Sequence, residues 1–144
     1  MINNINKNSY YYKYKRQAYI FEGIGIVGIV LSILVNELTG RQFKPIIIIV
    51  AAIAMFFLII GGASSRPHVL VKSFATLLAN EPTTQNAKEF IYALDRSGTV
   101  HLVKSSQALI NSAIMSYENS SEANSEITQQ LREAVKTHIK RKII

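Results

Sequence analysis

The chain has 144 residues, which is enough for one ordinary domain or for a membrane anchor with a small domain attached. Charged residues make up 17% and hydrophobic residues 49% of it, whereas a soluble domain carries about a quarter charged residues. Cysteine is absent, which excludes disulfides, thiolate catalysis and cysteine-ligated zinc or iron–sulfur sites. The net charge of +7 is assigned to the basic ends of membrane helices, and no nucleic-acid partner is expected.

The N-terminal segment, residues 1–17, is a basic tail rich in Asn, Tyr and Lys and free of acidic residues. Two interpretations stay open: amphipathic contact of its tyrosines and cations with an anionic leaflet, or a solvated, disordered tail. A second basic cluster ends the chain, where cations also complement the dipole of a final helix. The residues predicted to lie at the membrane surface are Lys13, Lys15, Arg16, Tyr19, Lys140, Arg141 and Lys142.

Two apolar runs follow the basic tail. The first, Ala18–Val35, contains Glu22 as its only charge, and the second, Ile46–Ala63, contains none. A helix rises about 1.5 Å per residue and the hydrocarbon core is about 30 Å thick, so about 20 residues are needed to cross it. The pattern therefore predicts transmembrane helices at about 18–38 and 45–63.

These helices should form a two-helix transmembrane hairpin over residues 18–63, because the loop between them is too short to cross a bilayer. Lys and Arg collect on the cytoplasmic side of membrane helices. The count predicts a two-pass protein of a bacterial plasma membrane with both termini in the cytoplasm. On the side of the termini lie Lys7, Lys13, Lys15, Arg16, Arg66 and Lys72, against Arg41 and Lys44 in the loop.

Small residues mark one face of the first run. Residues 23–28 match the dinucleotide-binding spacing G-x-G-x-x-G, but that fingerprint needs a strand–turn–helix context, which is absent here. Small residues instead let membrane helices approach closely, and Ser or Asn can hydrogen-bond across the contact. Packing within the hairpin is the favoured interpretation, with a docking face for another subunit as the alternative. The predicted helix–helix contact residues are Gly25, Gly28, Ser32, Asn36, Ala54 and Gly61.

Residues 64–144 are predicted to form a small cytoplasmic helical domain. Apolar residues recur at helical spacing in four stretches, typical of short amphipathic helices in one bundle. These stretches cover residues 69–78, 87–94, 102–117 and 127–139. Residues 90–103 could instead form a β-hairpin that turns at 95–98, although the helical pattern is favoured.

Candidate catalytic residues are few. His68, His101 and His138 lie far apart in the chain, so they form no local metal pair, and His138 is expected to be a boundary residue of the last helix. No nucleophile–base set is apparent, and we expect neither enzymatic activity nor a cofactor or metal.

The predicted class is therefore an all-α membrane protein acting as a non-enzymatic accessory or regulatory subunit. It would use helix–helix and cytoplasmic-domain contacts with another integral membrane protein, or with its own copies, in the lipid bilayer. The alternative is a membrane protein of a phage or toxin system, either a holin-like permeabiliser or an immunity protein.

Overall fold

The structure is a computed structural model that describes residues 9–39 and 44–141. Within these ranges the chain forms six α-helices and two short strands, which confirms the helical class predicted from the sequence. The helices are α1 (Tyr10–Leu38), α2 (Lys44–Ser64), α3 (Pro67–Asn80), α4 (Thr84–Ser97), α5 (Lys104–Glu118) and α6 (Ser125–His138), and the strands are β1 (Val100–Leu102) and β2 (Ile139–Arg141).

The chain divides into two compact units. Lys13–Ser65 form the first, the hairpin unit, and Met1–Tyr12 with Arg66–Ile144 form the second, the tail unit. The tail unit is therefore discontinuous in sequence, and its described part includes residues 9–12. Helix α1 begins at Tyr10, within the segment of residues 1–17 that the sequence predicts as a tail.

Both helices of the hairpin unit are long and apolar enough to cross a membrane. Helix α1 has 29 residues and α2 has 21, which at ~1.5 Å per residue correspond to about 43 and 31 Å, against a hydrocarbon thickness of about 30 Å. Pro45 is the second residue of α2, where a missing N–H leaves no helical bond unmade. Thr39-Gly40 after the first apolar run is typical of a helix stop, but Gly40 lies outside the described residues.

Helices α3, α4 and α6 of the tail unit begin where the local sequence favours a start. Pro67 opens α3, the side chain of Thr83 accepts a hydrogen bond from the Asn86 N–H at the start of α4, and Asn124 accepts from two N–H groups at the start of α6. Their apolar faces meet in one core. The largest side chains buried there are Tyr117, Phe74, Phe90, Leu78, Leu94, Ile110, Leu131 and Val71.

The β-hairpin that was the alternative for residues 90–103 is wrong. Helix α4 continues to Ser97 and stops at Gly98, whose φ of 64° and ψ of −150° suit only glycine. Strand β1 follows, and it pairs in parallel with β2, Val100 lying opposite Ile139. Parallel neighbours need a long crossover connection rather than a tight turn, and α5 and α6 supply it.

Candidate functional site

The two helices of the hairpin unit approach each other closely at Gly25. A Cβ atom placed on this glycine would lie 2.8 Å from the carbonyl oxygen of Ala54 and 2.8 Å from the backbone nitrogen of Leu58. Ordinary contact between such atoms begins near 3.5 Å. The backbone of α2 therefore occupies the space that any other residue at this position of α1 would need.

The same kind of contact recurs along the hairpin. A Cβ atom on Gly61 of α2 would lie 2.7 Å from the backbone nitrogen of Glu22 and 2.8 Å from the carbonyl oxygen of Ala18, and one on Gly28 would lie 2.6 Å from the Ala54 Cβ. We call this contact the seam. It consists of Ala18, Glu22, Gly25 and Gly28 of α1 with Ala54, Leu58 and Gly61 of α2.

The seam contains four of the six residues predicted to lie at a helix–helix contact. The other two, Ser32 and Asn36, are placed differently. Ser32 is buried, but its hydroxyl donates to the carbonyl oxygen of Gly28 in its own helix at 2.8 Å. Asn36 is half-buried. Within the part of the chain that the structure describes, neither side chain hydrogen-bonds to α2.

Polar side chains join the two helices at the end of the hairpin where α1 enters and α2 leaves. The hydroxyl of Tyr14 donates to the carbonyl oxygen of Ser64 at 3.2 Å, and the hydroxyl of Ser65 donates to Glu22 Oε1 at 3.3 Å. Glu22, the single charge of the first apolar run, thus has a hydrogen-bond donor within the hairpin unit.

Large apolar side chains cover the outside of the hairpin unit. Ile24 is 48%, Leu31 53%, Ile53 53% and Phe56 60% exposed. Since Gly25, Gly28, Ala54 and Gly61 lie in the seam, the exposed surface consists mainly of branched and aromatic side chains. Such a surface is costly in water and suits contact with lipid or with other membrane helices.

The first turn of α1 packs into the core of the tail unit. Tyr11 is only 4% exposed, and its ring lies edge-on to Tyr92 with 4.9 Å between centroids and 6.0 Å from Phe74. Tyr10 also meets Phe74 edge-on at 5.2 Å. We call this contact the tyrosine socket. Neither interpretation of the N-terminal tail, membrane-surface contact or a solvated chain, anticipated a buried tyrosine here.

A buried carboxylate accompanies these rings. Glu89 of α4 is 3% exposed; its Oε2 accepts the backbone N–H of Tyr11 at 3.1 Å, and its Oε1 accepts from the side-chain amide of Gln85 at 2.9 Å. The first N–H groups of a helix have no partner within it, and a negative charge there is favourable. Because the first turn of α1 contains no acidic residue, Glu89 supplies that charge from another helix.

The residues assigned to the membrane surface differ in their exposure. Lys13, Arg16 and Lys140 are exposed, Lys15 is half-buried and Tyr19 is 59% exposed. Arg141 ends β2, and Lys142 lies outside the described residues. Their exposure is compatible with solvent as much as with lipid headgroups.

His138, which the sequence predicts as a boundary residue of the last helix, makes two polar contacts with residues outside α6. Its Nδ1 donates to the carbonyl oxygen of Gly98 at 3.2 Å, and its Nε2 lies 3.1 Å from Asp95 Oδ1. It thereby joins the end of α6 to the end of α4, next to the paired strands. Among residues 9–39 and 44–141, no three His, Asp or Glu side chains come close enough to hold a metal ion.

No protein-family model matches the sequence, and neither a curated protein nor a solved structure matches it. A functional proposal therefore rests on the seam, the tyrosine socket and the surface of the tail unit.

Proposed function

We propose that this chain is a two-pass membrane protein with both termini in the cytoplasm, and that it is a non-enzymatic accessory or regulatory subunit of a membrane complex. The observation that carries the proposal is the tyrosine socket. The core of the tail unit includes the first turn of α1, and the same helix continues into the first apolar run.

Membrane insertion is supported by the hairpin unit. Two neighbouring helices of sufficient length share a seam of small residues and expose large apolar side chains elsewhere. Association of helices in lipid relies on close packing and hydrogen bonding rather than on exclusion of water, and small residues permit that packing. The orientation follows from the excess of basic residues on the side of the termini.

A regulatory role is supported by the way in which the tail unit is completed. Tyr11 and Glu89 make the start of a candidate membrane helix part of a folded domain. A partner that displaces this turn must break buried aromatic contacts and leave a buried carboxylate without its backbone donor, which is costly. Binding of a partner to one unit can therefore alter the other unit through the first turn of α1.

Insertion and orientation can be tested with single cysteines, since the natural chain has none. Gln42 stands between the sequences of α1 and α2, and Ser121 is exposed in the tail unit. In intact cells an impermeant thiol reagent should label Gln42→Cys and leave Ser121→Cys unlabelled. The reverse pattern would overturn the orientation. Release of the protein from membranes by alkaline carbonate would refute insertion itself.

The subunit role requires a defined partner. The full chain, purified in mild detergent, should retain one integral membrane protein at a fixed ratio, or form a defined homo-oligomer. Tyr11→Ala should weaken that association, whereas Tyr12→Phe, at a ring that is 39% exposed, should not. Collapse of the membrane potential on expression, with no partner retained, would favour the permeabiliser instead.

A further inference from the structure

A groove of about 560 Å³ lies on the tail unit along one side of α3. Polar side chains lie along it at intervals of one helical turn, namely His68, Lys72, Thr76 and Asn80. Leu77 of the same helix and Leu109 of α5 provide apolar walls. The groove therefore combines a row of hydrogen-bonding groups with an apolar surface beside it.

The charge of this groove is of one sign. Its lining includes Lys72 and His68 and contains no carboxylate, and within the described residues the ammonium group of Lys72 has no ion-pair partner. A neighbouring cavity of about 330 Å³ has the opposite character, since Glu81 and Glu89 line it. The two cavities therefore differ in the charged side chains that line them.

The available donors can be assigned individually. The hydroxyl of Thr76 donates to the carbonyl oxygen of Lys72 at 3.0 Å, and Ser73 in the same way uses its proton within α3. The lining also contains three donors for which the described residues show no hydrogen bond: the Lys72 ammonium, the His68 ring and the Asn80 amide. A phosphoryl group, with several acceptor oxygens and a negative charge, matches the Lys72 ammonium and the His68 ring, which lie one helical turn apart.

The position of the groove along the chain suggests where the phosphoryl group comes from. His68 follows Ser64, the last residue of α2, by four positions, and four residues of extended chain reach at most about 14 Å. If α2 crosses the membrane, His68 cannot lie farther than this from the end of the membrane helix. Headgroup phosphates occupy that zone of a bilayer.

From this combination we infer that the groove binds the headgroup of an anionic phospholipid. Lys72 and His68 contact the phosphate, and Leu77 and Leu109 face the apolar part of the lipid. The inference rests on the proposed function, because only a chain inserted in the bilayer brings the groove to its surface.

The test uses the full-length protein in mild-detergent micelles, with retained lipids counted by native mass spectrometry. The protein should retain phosphatidylglycerol in preference to phosphatidylcholine. Lys72→Gln should weaken phosphatidylglycerol binding about fivefold, the effect of one cation near an anionic surface. Lys104→Gln removes the same charge from an exposed position outside the groove, and it should leave binding unchanged.

The remaining outcomes separate the two proposals. Equal retention of both lipids by the natural chain, or equal loss in both variants, would overturn the headgroup site while carbonate-resistant insertion left the membrane role intact. Displacement of the lipid by millimolar inorganic phosphate would assign the groove to a free phosphate compound instead. Extraction of all three proteins by carbonate would refute the membrane role first.

Discussion

Gly25 provides the sharpest test of the seam, because Gly23 of the same helix is a matched control. A Cβ atom on Gly25 would lie 2.8 Å from two backbone atoms of α2, whereas one on Gly23 would meet nothing within 4 Å. Both variants, Gly25→Ala and Gly23→Ala, add one methyl group to α1 and gain the same helix propensity, up to about 1 kcal/mol. Any difference between them therefore measures the seam alone.

The expected difference can be estimated from overpacking. Backbone atoms of a helix cannot rotate away as a side chain can, so α1 and α2 must move apart to admit the new methyl group. Forcing extra atoms into a closely packed contact costs about 1–3 kcal/mol. We therefore expect Gly25→Ala to be less stable than Gly23→Ala by about that amount, and to have the lower Tm.

The measurement is thermal unfolding of the full chain in mild detergent, followed by the loss of helical circular dichroism. A direct check is the distance between spin labels on cysteines introduced at Tyr19 and Ile59, one exposed position on each helix. Only Gly25→Ala should lengthen it. If the two alanine variants have the same Tm and the same label distance, the seam does not exist in the form described.

Three further predictions concern the tail unit. Tyr11→Ala should lower the free energy of unfolding by about 3–5 kcal/mol, since it deletes a buried ring. Tyr12→Ala, at a residue that is 39% exposed, should lower it clearly less. Equal losses in urea titrations would contradict the tyrosine socket. Glu89→Leu should lower the free energy of unfolding by about 1–3 kcal/mol, because it leaves the N–H at the start of α1 without its acceptor. Hydrogen exchange at the amide of Tyr11 should become faster. An unchanged exchange rate would contradict the assigned hydrogen bond. His138→Ala should lower the free energy of unfolding by about 1–3 kcal/mol, because it removes two hydrogen bonds. His101→Ala, at an exposed position of β1, should leave the urea midpoint unchanged. Identical midpoints for both variants would show that the contact between α4 and α6 through His138 does not stabilise the fold.

Helix type and approximate position follow from the sequence wherever one periodic pattern acts alone. The charge-free run that becomes α2 and the amphipathic stripes of α3, α5 and α6 are of this kind, because the apolar face of each is visible in its own residues. The end of α4 was also legible, since Ser97-Gly98 is a strong stop signal. The glycines of the seam carry a local signal, because small residues at helical spacing are typical of close contacts between helices.

Features that depend on residues far apart in the sequence could not be read in this way. The tyrosines at the start of α1 lie in a polar stretch. The neighbouring residues do not distinguish a tyrosine that contacts lipid headgroups from one that packs in a protein core. Glu89 is separated from Tyr11 by 78 positions, so the capping charge of α1 has no signature near α1. The pairing of β1 with β2 brings together two segments of three residues, too short to carry a periodic pattern.

The discontinuity of the tail unit sets an order on how the protein can be made. Its first piece ends at Tyr12 and its second begins at Arg66, so the ribosome synthesises the entire hairpin between them. The contacts of Tyr11 can form only after Phe74, Glu89 and Tyr92 have left the ribosome. Strand β1 can pair only after β2 has been synthesised. Domains generally fold in the order of their synthesis. The core of the tail unit can be completed only after the apolar hairpin has left the ribosome.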